Sequence, residues 1–329
     1  MSGDYDEADV RVRPGRGSRP RSKIRPAHDD AVAGVVIAVD RGRYTCLVTD
    51  DELTVTAMRA RELGRKSVVV GDRVGLVGDL SGRDGTLARI VRLEERTTVL
   101  RRTADDDDPI ERVIVANADQ LVIVVAAAEP EPRPRLVDRC LVAAYDAGLD
   151  PLLCVTKADL ADPSPLLAMF TPLGVATVVT EMGADLALLR ERLVNRWSVL
   201  VGHSGVGKST LVNALVPGAD RAIGRVNVVT GRGRHTSASA VALPLPGAGW
   251  VIDTPGIRSF GLAHVDPRHL VHAFPDLDRE TEQCSRGCTH AAGQPECGLD
   301  LAVEEGRIPR ARVDSFRRLL ASRERQSGD

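Results

Sequence analysis

The sequence lacks a long apolar run, a large net charge and a set of paired cysteines. No stretch of its 329 residues reaches the roughly 18 consecutive apolar residues that a membrane helix needs, and its N-terminus has no apolar segment of the signal-peptide type. We therefore expect a cytoplasmic protein with no membrane partner. Six cysteines are too few and too unevenly placed for a disulfide framework, which favours a reducing compartment.

The net charge of −2 excludes a whole-molecule field that would attract nucleic acid. Charge is unevenly distributed along the chain, because residues 11–25 contain seven basic residues and no acidic one. Residues 1–30 are rich in arginine, glycine and proline and have no hydrophobic period, which predicts a disordered basic tail. This tail could contact RNA phosphates, as could a basic helix near the C-terminus, although a charge run is more often a solvated surface. The basic residues of that helix are Arg310, Arg312, Arg317 and Arg318.

Residues 31–98 contain short β-like runs separated by turn signals. The first four runs start near residues 34, 44, 53 and 73, and the Asp84–Gly85 turn precedes a fifth. Five short strands in this length predict a small closed β-barrel of the oligonucleotide-binding (OB-fold) type. Some other small β domain is the alternative.

Residues 99–262 change to the alternation of an α/β domain. The run 121–125 is continuously apolar, as a strand covered on both faces requires, and a helical pattern from Leu136 to Ala144 follows, with Gly148 as its stop. Further strand-like and helical patterns alternate to about residue 252, which predicts a parallel sheet. Residues 263–329 predict short helices around a cysteine and histidine cluster, ending in the basic helix from Arg310.

The strongest motif is a phosphate-binding loop at Gly202–Ser209, which matches Gly-x4-Gly-Lys-Ser/Thr between a strand and a helix. Its glycines let backbone N–H groups converge on phosphates at a helix N-terminus; a plain glycine-rich turn is the alternative. Lys208 is predicted to reach the β- and γ-phosphates and Ser209 to bind Mg²⁺. The predicted nucleotide contacts of this motif are Gly202, His203, Ser204, Gly205, Val206, Gly207, Lys208, Ser209 and Thr210.

Asp253–Gly256 follows an apolar strand and is typical of a nucleotide sensor. Asp253 is predicted to hold Mg²⁺ through water, and the Gly256 N–H to bond the γ-phosphate during catalysis beside Lys208. Between the two motifs, Gly231–Thr236 is rich in glycine and polar residues. We expect this segment to become ordered around GTP, with Thr236 as a further Mg²⁺ ligand.

Thr156–Asp159 fits the guanine-reading pattern Asn/Thr-Lys-x-Asp at the end of another strand. Asp159 is predicted to accept two hydrogen bonds from the guanine N1–H and 2-amino group, a donor pair that adenine lacks. The stem of Lys157 would pack along the base. Asparagine is commoner at the position of Thr156, and a simple strand-end turn is the alternative.

The catalytic water needs a residue that orients it. Many GTPases have a glutamine directly after the Asp-x-x-Gly glycine, but this chain has Ile257 there, whose apolar side chain cannot hold water. His235, next to Thr236, is the candidate that remains. The alternative is that His235 only packs within the ordered segment.

Four potential metal ligands lie within 14 residues, in the pattern Cys284-x3-Cys288-x-His290-x6-Cys297. Three thiolates and one imidazole predict a structural zinc site, with free loop cysteines as the alternative. The other three cysteines lie in apolar surroundings and are predicted core residues.

The order of the nucleotide motifs is circularly permuted, because Thr156–Asp159 precedes the phosphate loop. Together with Ala116–Gln120, Leu136–Arg139 and Gly233–Thr236, this order resembles the RsgA (YjeQ) family of bacterial ribosome-assembly GTPases. The resemblance implies an OB-fold barrel, a permuted GTPase core and a zinc-binding C-terminal domain. It also implies action in late maturation of the 30S ribosomal subunit, contact with 16S rRNA, and hydrolysis of GTP to GDP that the subunit stimulates.

The zinc ligands depart from that family in spacing. The family pattern is Cys-x4-Cys-x-His-x5-Cys, so the first gap here is one residue shorter and the last is one longer. The ligand set is the same, but the loop geometry must differ.

The expected oligomeric state is a monomer.

Two other classes of function fit part of the sequence. An ATP-binding enzyme would make Thr156–Asp159 a coincidence, and competition between nucleotides separates the two. An RNA-binding module gated by nucleotide would show negligible turnover, which a time course of phosphate release tests.

Overall fold

The computed structural model describes residues 28–40, 42–49, 53–63, 67–102, 112–219, 240–254, 262 and 266–322. The basic tail up to residue 27, the Gly231–Thr236 segment with His235, and Gly256 with Ile257 lie outside these residues. Among the described helices, none has the length and apolar character needed to cross a membrane.

The N-terminal strands form a closed five-stranded barrel, which confirms the sequence prediction. Strand β1 pairs with both β2 and β4, and β5 closes the circle by pairing with β4 and, in parallel, with β3. Alternate residues point inward, and Val36, Cys46 and Ile90 are fully buried. The strands are Val32–Asp40 (β1), Arg43–Val48 (β2), Thr54–Arg59 (β3), Arg73–Gly78 (β4) and Ala88–Leu93 (β5).

A short hairpin links the barrel to a six-stranded sheet. In that sheet the order is β10-β9-β8-β11-β13-β12, and only the edge strand β12 runs antiparallel to its neighbour. Every residue of the central strand β8 is buried, as its continuous apolar run predicts. The hairpin and sheet strands are Val99–Arg102 (β6), Arg112–Ala116 (β7), Gln120–Ala126 (β8), Asp150–Thr156 (β9), Ala176–Val179 (β10), Trp197–Val201 (β11), Val241–Pro244 (β12) and Trp250–Asp253 (β13).

Helices cover both faces of this sheet, as an α/β fold requires. Helices α3 and α4 pack on one face, whereas α1 and the C-terminal helices share a core on the other. Phe274 lies at the centre of that shared core, with its ring 4.8 Å from Tyr145 and 5.5 Å from Phe316. The helices are Pro134–Asp146 (α1), Ser164–Phe170 (α2), Ala187–Leu193 (α3), Lys208–Leu215 (α4), Pro267–Leu270 (α5), Pro275–Glu280 (α6), Gly298–Glu304 (α7) and Arg310–Ser322 (α8).

Asn117, in the stretch Ala116–Gln120, fastens the barrel to the α/β domain. Its amide donates a hydrogen bond to the Gly71 carbonyl (2.9 Å) and its side-chain oxygen accepts one from the Thr97 N–H (2.8 Å). A Cβ at Gly71 would lie 1.9 Å from the Ala116 oxygen, so only glycine fits. Asn117 therefore links the barrel to the segment that leads into the hairpin.

The barrel and the α/β sheet also join directly, because β1 pairs with the edge strand β12 through Ala38 and Val241. Together they form one continuous sheet of eleven strands. This pairing covers the backbone edge of β12, which would otherwise be open.

The three cysteines outside the metal cluster are core residues, as predicted. Cys46, Cys140 and Cys154 are at most 2% exposed. Burial raises the pKa of each thiol to about 12. These side chains are therefore uncharged thiols at neutral pH, and their role is packing.

Candidate nucleotide site and metal cluster

The nucleotide motifs converge on one edge of the sheet. Strands β9, β11 and β13 end at Thr156, Val201 and Asp253, and all run parallel to β8 or to each other. Their carboxyl ends therefore meet at the same edge, where open α/β sheets bind ligands. Motifs that are far apart in the sequence come together because the strands that carry them are neighbours.

The phosphate loop has the backbone shape that its glycines permit. Gly205 and Gly207 have φ angles of 83° and 90°, which are unfavourable for other residues. A Cβ at Gly202 would lie 2.5 Å from the Val124 oxygen, so the loop can cross β8 only with glycine there. Helix α4 starts directly at Lys208, which leaves the N–H groups of its first turn available for phosphate oxygens.

Lys208 and Asp253 are brought into contact across the site. The Lys208 ammonium contacts the Asp253 carboxylate, and both side chains are largely buried, with 14% and 13% exposed. The Thr254 hydroxyl donates a hydrogen bond to the Leu200 carbonyl (2.7 Å), which holds the turn after β13 against β11. Asp253, and Ser209, which follows Lys208 in the chain, carry oxygen atoms of the kind that Mg²⁺ prefers.

Thr156 ties the guanine-reading motif to the phosphate loop. Its hydroxyl oxygen lies 2.6 Å from the Val206 carbonyl oxygen and 3.2 Å from the Val125 carbonyl oxygen. The hydroxyl can therefore donate a hydrogen bond to the phosphate loop at Val206. Thr156 therefore links the end of β9 to the phosphate loop, at the position where asparagine is the commoner residue of the pattern. Asp159, three residues further along the chain, is exposed.

The segment between β8 and α1, residues 127–133, also borders the site and was missed by the sequence analysis. The Glu129 carbonyl contacts the Lys157 ammonium, and a Cβ at Gly205 would lie 3.6 Å from the Pro130 ring. Pro130 also lines a small cavity with Gly202 and Val206. A proline-rich stretch directly after an apolar strand was the available signal, but its position follows only from the sheet order.

The four predicted metal ligands lie together near the C-terminus. Their ligand atoms are all within 4.8 Å of one another, and the His290 Nδ1 lies 3.6 Å from the Cys284 sulfur and 3.5 Å from the Cys288 sulfur. Burial is the main cause that lowers the pKa of His290, which favours the neutral imidazole that a metal needs. Three sulfurs and one nitrogen at these distances suit a tetrahedral ion.

Polar groups around the cluster support its sulfurs. Backbone N–H groups of Gly298 and His290 point at the Cys284 and Cys288 sulfurs, at 3.1 and 3.4 Å. Arg317 approaches the Cys297 sulfur at 3.7 Å and donates to the His290 carbonyl at 3.1 Å. These donors offset the negative charge of thiolates and orient the ligands.

The arginines of α8 largely face the protein. Arg312 forms two hydrogen bonds with the Asp276 carboxylate, both shorter than 3 Å, and Arg317 forms a similar pair with Asp300. Arg318 binds a carboxylate in α1, whereas Arg310 is exposed. The sequence suggested that this helix could contact RNA phosphates, but three of its guanidinium groups are already engaged within the protein.

Comparison with known proteins agrees with this geometry. A family model described as RsgA GTPase matches residues 93–263. The small ribosomal subunit biogenesis GTPase RsgA of Pseudomonas aeruginosa (strain LESB58) is 40% identical over 265 residues, which cover 78% of this chain and 76% of that protein. The protein of the same name from Gemmatimonas aurantiaca is 35% identical over 301 residues, covering 88% of this chain and 96% of its own.

Two solved structures have a similar fold. The crystal structure of YjeQ from Thermotoga maritima is 26% identical with a TM-score of 0.65, covering 89% of this chain and 98% of that one. YloQ, described as a circularly permuted GTPase, is 24% identical with the same TM-score, covering 91% and 98%. The overall arrangement of this chain is therefore a known architecture, and one of these two neighbours is described as circularly permuted.

Proposed function

Since this chain belongs to the RsgA GTPase family and is a GTP-hydrolysing enzyme, we propose that it acts in late maturation of the 30S ribosomal subunit, which stimulates its hydrolysis of GTP to GDP. The observation that carries the proposal is the shared sheet edge, where the phosphate loop, the Lys208–Asp253 pair and the exposed Asp159 meet. The relatives named for small-subunit biogenesis support the choice of partner.

In the proposed site, each motif binds a different part of the nucleotide. The N–H groups at the start of α4 and the Lys208 ammonium hold the phosphates, and Asp159 selects guanine. Ser209 and Asp253, together with Thr236, would hold Mg²⁺, which supplies charge neutralisation on the phosphates. Gly256 would donate its N–H to the γ-phosphate.

The barrel carries a basic surface that supports a contact with 16S rRNA. Around the end of β3 and the start of β5, three arginines surround two exposed apolar side chains, and the described side chains that line this groove include no acidic one. Met58 is 44% exposed and Leu87 42%. Guanidinium groups suit RNA phosphates, and exposed apolar side chains suit unstacked bases. The arginines are Arg59, Arg61 and Arg89.

The proposal also covers the role of the Cys3His cluster, the domain division, the oligomeric state and the place where the chain meets the 30S subunit. The Cys284, Cys288, His290 and Cys297 set would hold one structural Zn²⁺, which contributes folding free energy and no step of the reaction. The chain is divided at residues 98 and 262 into barrel, GTPase and zinc domains, works as a monomer, and meets its partner in the cytoplasm.

The proposal is tested by GTP hydrolysis measured with and without purified 30S subunits. We expect slow intrinsic phosphate release, because Ile257 cannot orient water, and an acceleration that saturates with 30S concentration. Purified 50S subunits serve as the matched control and should have little effect. Equal rates with 30S, with 50S and with neither would contradict the proposed role.

His235→Ala tests the proposed source of water orientation. We expect 30S-stimulated turnover to fall by roughly tenfold or more, with GTP affinity nearly unchanged, because the interaction would be made mainly in the transition state. The measurement compares stimulated turnover with the dissociation constant of a fluorescent GTP analogue. Full stimulated activity would remove His235 from the mechanism and leave the GTPase assignment intact.

A further inference from the structure

Two consecutive arginines of α8 reach two different parts of the protein. Arg317 contacts the metal cluster through the His290 carbonyl and the Cys297 sulfur. Arg318, the next residue, contacts the Asp138 carboxylate of α1 at 3.1 and 3.2 Å. A single helix therefore holds the metal cluster and the GTPase core at adjacent positions.

The contact with α1 is an ion pair whose carboxylate is buried and whose arginine side chain is 31% exposed. Asp138 is 1% exposed, and the Arg318 guanidinium also donates to the Met169 carbonyl (2.9 Å) and lies 5.2 Å from the centre of the Phe170 ring. Removing one partner of such a pair leaves a desolvated charge or an empty donor site, which is strongly unfavourable. Helix α8 is therefore held on α1 in one defined position.

Helix α1 leads straight to the nucleotide site. It begins at Pro134, and the seven residues before it are residues 127–133. Their Glu129 carbonyl contacts Lys157, and Pro130 lines a small cavity with Gly202 and Val206 of the phosphate loop. The segment is also fixed at its start, where the Ala127 N–H donates to the Thr156 carbonyl (2.8 Å). A displacement of α1 would therefore move groups that border both halves of the nucleotide site.

We propose that α8 couples the Cys3His cluster to the nucleotide site, and that Arg318, acting through Asp138, is the positioning residue for this coupling. An intact cluster holds α8 through Arg317, α8 holds α1 through Arg318, and α1 holds residues 127–133 against the bound nucleotide. The inference rests on the proposed function only in that the ligand at this edge is GTP or GDP. The Leu136–Arg139 stretch then has a role, since Asp138 is the docking point and Arg139 adds a bond to the Ser322 carbonyl.

The test is the dissociation rate of a fluorescent GDP analogue from full-length Arg318→Met. We expect a rise of about tenfold, within the range of typical coupling between sites. Arg310→Met is the matched control, because this arginine lies on the same helix but is exposed, and its rate should stay within twofold of wild type. Circular dichroism sets a temperature at which each variant is folded. If Arg318→Met does not fold, Asp138→Asn is used in its place, because asparagine removes the negative charge of residue 138 and keeps nearly the same side-chain shape.

A double-mutant cycle tests whether the cluster and Arg318 act on the nucleotide site through the same connection, and the melting temperature of Arg318→Met shows whether that variant only loses stability. Cys288→Ser should raise the GDP dissociation rate by a similar factor, and Cys288→Ser/Arg318→Met should raise it no further, because both changes break the same connection. Rates that multiply, or an Arg318→Met protein that melts earlier but releases GDP at the wild-type rate, would overturn the proposal. A wild-type protein that binds no guanine nucleotide would instead refute the proposed function.

Discussion

Asp159→Asn is expected to lower affinity for GTP roughly a thousandfold and to improve binding of xanthosine triphosphate. The carboxylate is expected to accept two hydrogen bonds from guanine, and a mismatch in a paired polar site costs far more than a lost apolar contact. An asparagine amide donates where the carboxylate cannot, which suits the 2-oxo group of xanthine. Asp159 is exposed, so the substitution should leave the fold unchanged.

The measurement is displacement of a fluorescent GDP analogue by GTP, ATP and xanthosine triphosphate. Glu191→Gln, another exposed carboxylate of the same domain on α3, is the control and should keep the wild-type preference. Wild-type protein that binds ATP as tightly as GTP would contradict the role of Asp159 before any variant is made.

Cys288→Ser is expected to abolish metal binding and to unfold the C-terminal helices. Structural zinc sites contribute on the order of 10 kcal/mol to small domains, and the loss of one of four ligands should remove most of that. Cys288 is 8% exposed and its sulfur lies 3.5 Å from the His290 Nδ1, so serine leaves a buried site incomplete. The shared core around Phe274 would then be exposed to solvent.

Metal analysis and hydrogen exchange check this outcome together. Wild-type protein should contain about one zinc per chain and protect the amides of α7 and α8, and the variant should do neither. Cys46→Ala, in the barrel core, is the matched control, because it changes a cysteine and should leave the metal content unchanged. A metal-free wild-type protein with protected C-terminal helices would refute the structural role of the cluster.

The nucleotide and metal motifs were predictable because each is a local pattern. The phosphate loop needs glycines at fixed spacing, and Gly205 and Gly207 have the positive φ angles that this shape requires. The four metal ligands lie within 14 residues, so a short loop suffices to gather them. The barrel was predictable from strand period and turn residues, and its closure confirms that prediction.

Only the tertiary structure decided how these local patterns meet. Thr156 binds the carbonyl of a residue 50 positions away, and Arg318 binds Asp138 across 180 positions. A basic residue on a helix has the same sequence pattern whether it faces solvent or a buried carboxylate, because hydrophobic period reports burial of apolar side chains and not the partner of a charge. The sequence by itself therefore determined the barrel, the permuted GTPase core and the grouping of the four potential metal ligands. Strand order and domain packing depend on contacts between residues distant in the chain. They decided that residues 127–133 lie beside the phosphate loop and that Arg312, Arg317 and Arg318 of α8 pair with carboxylates of the protein.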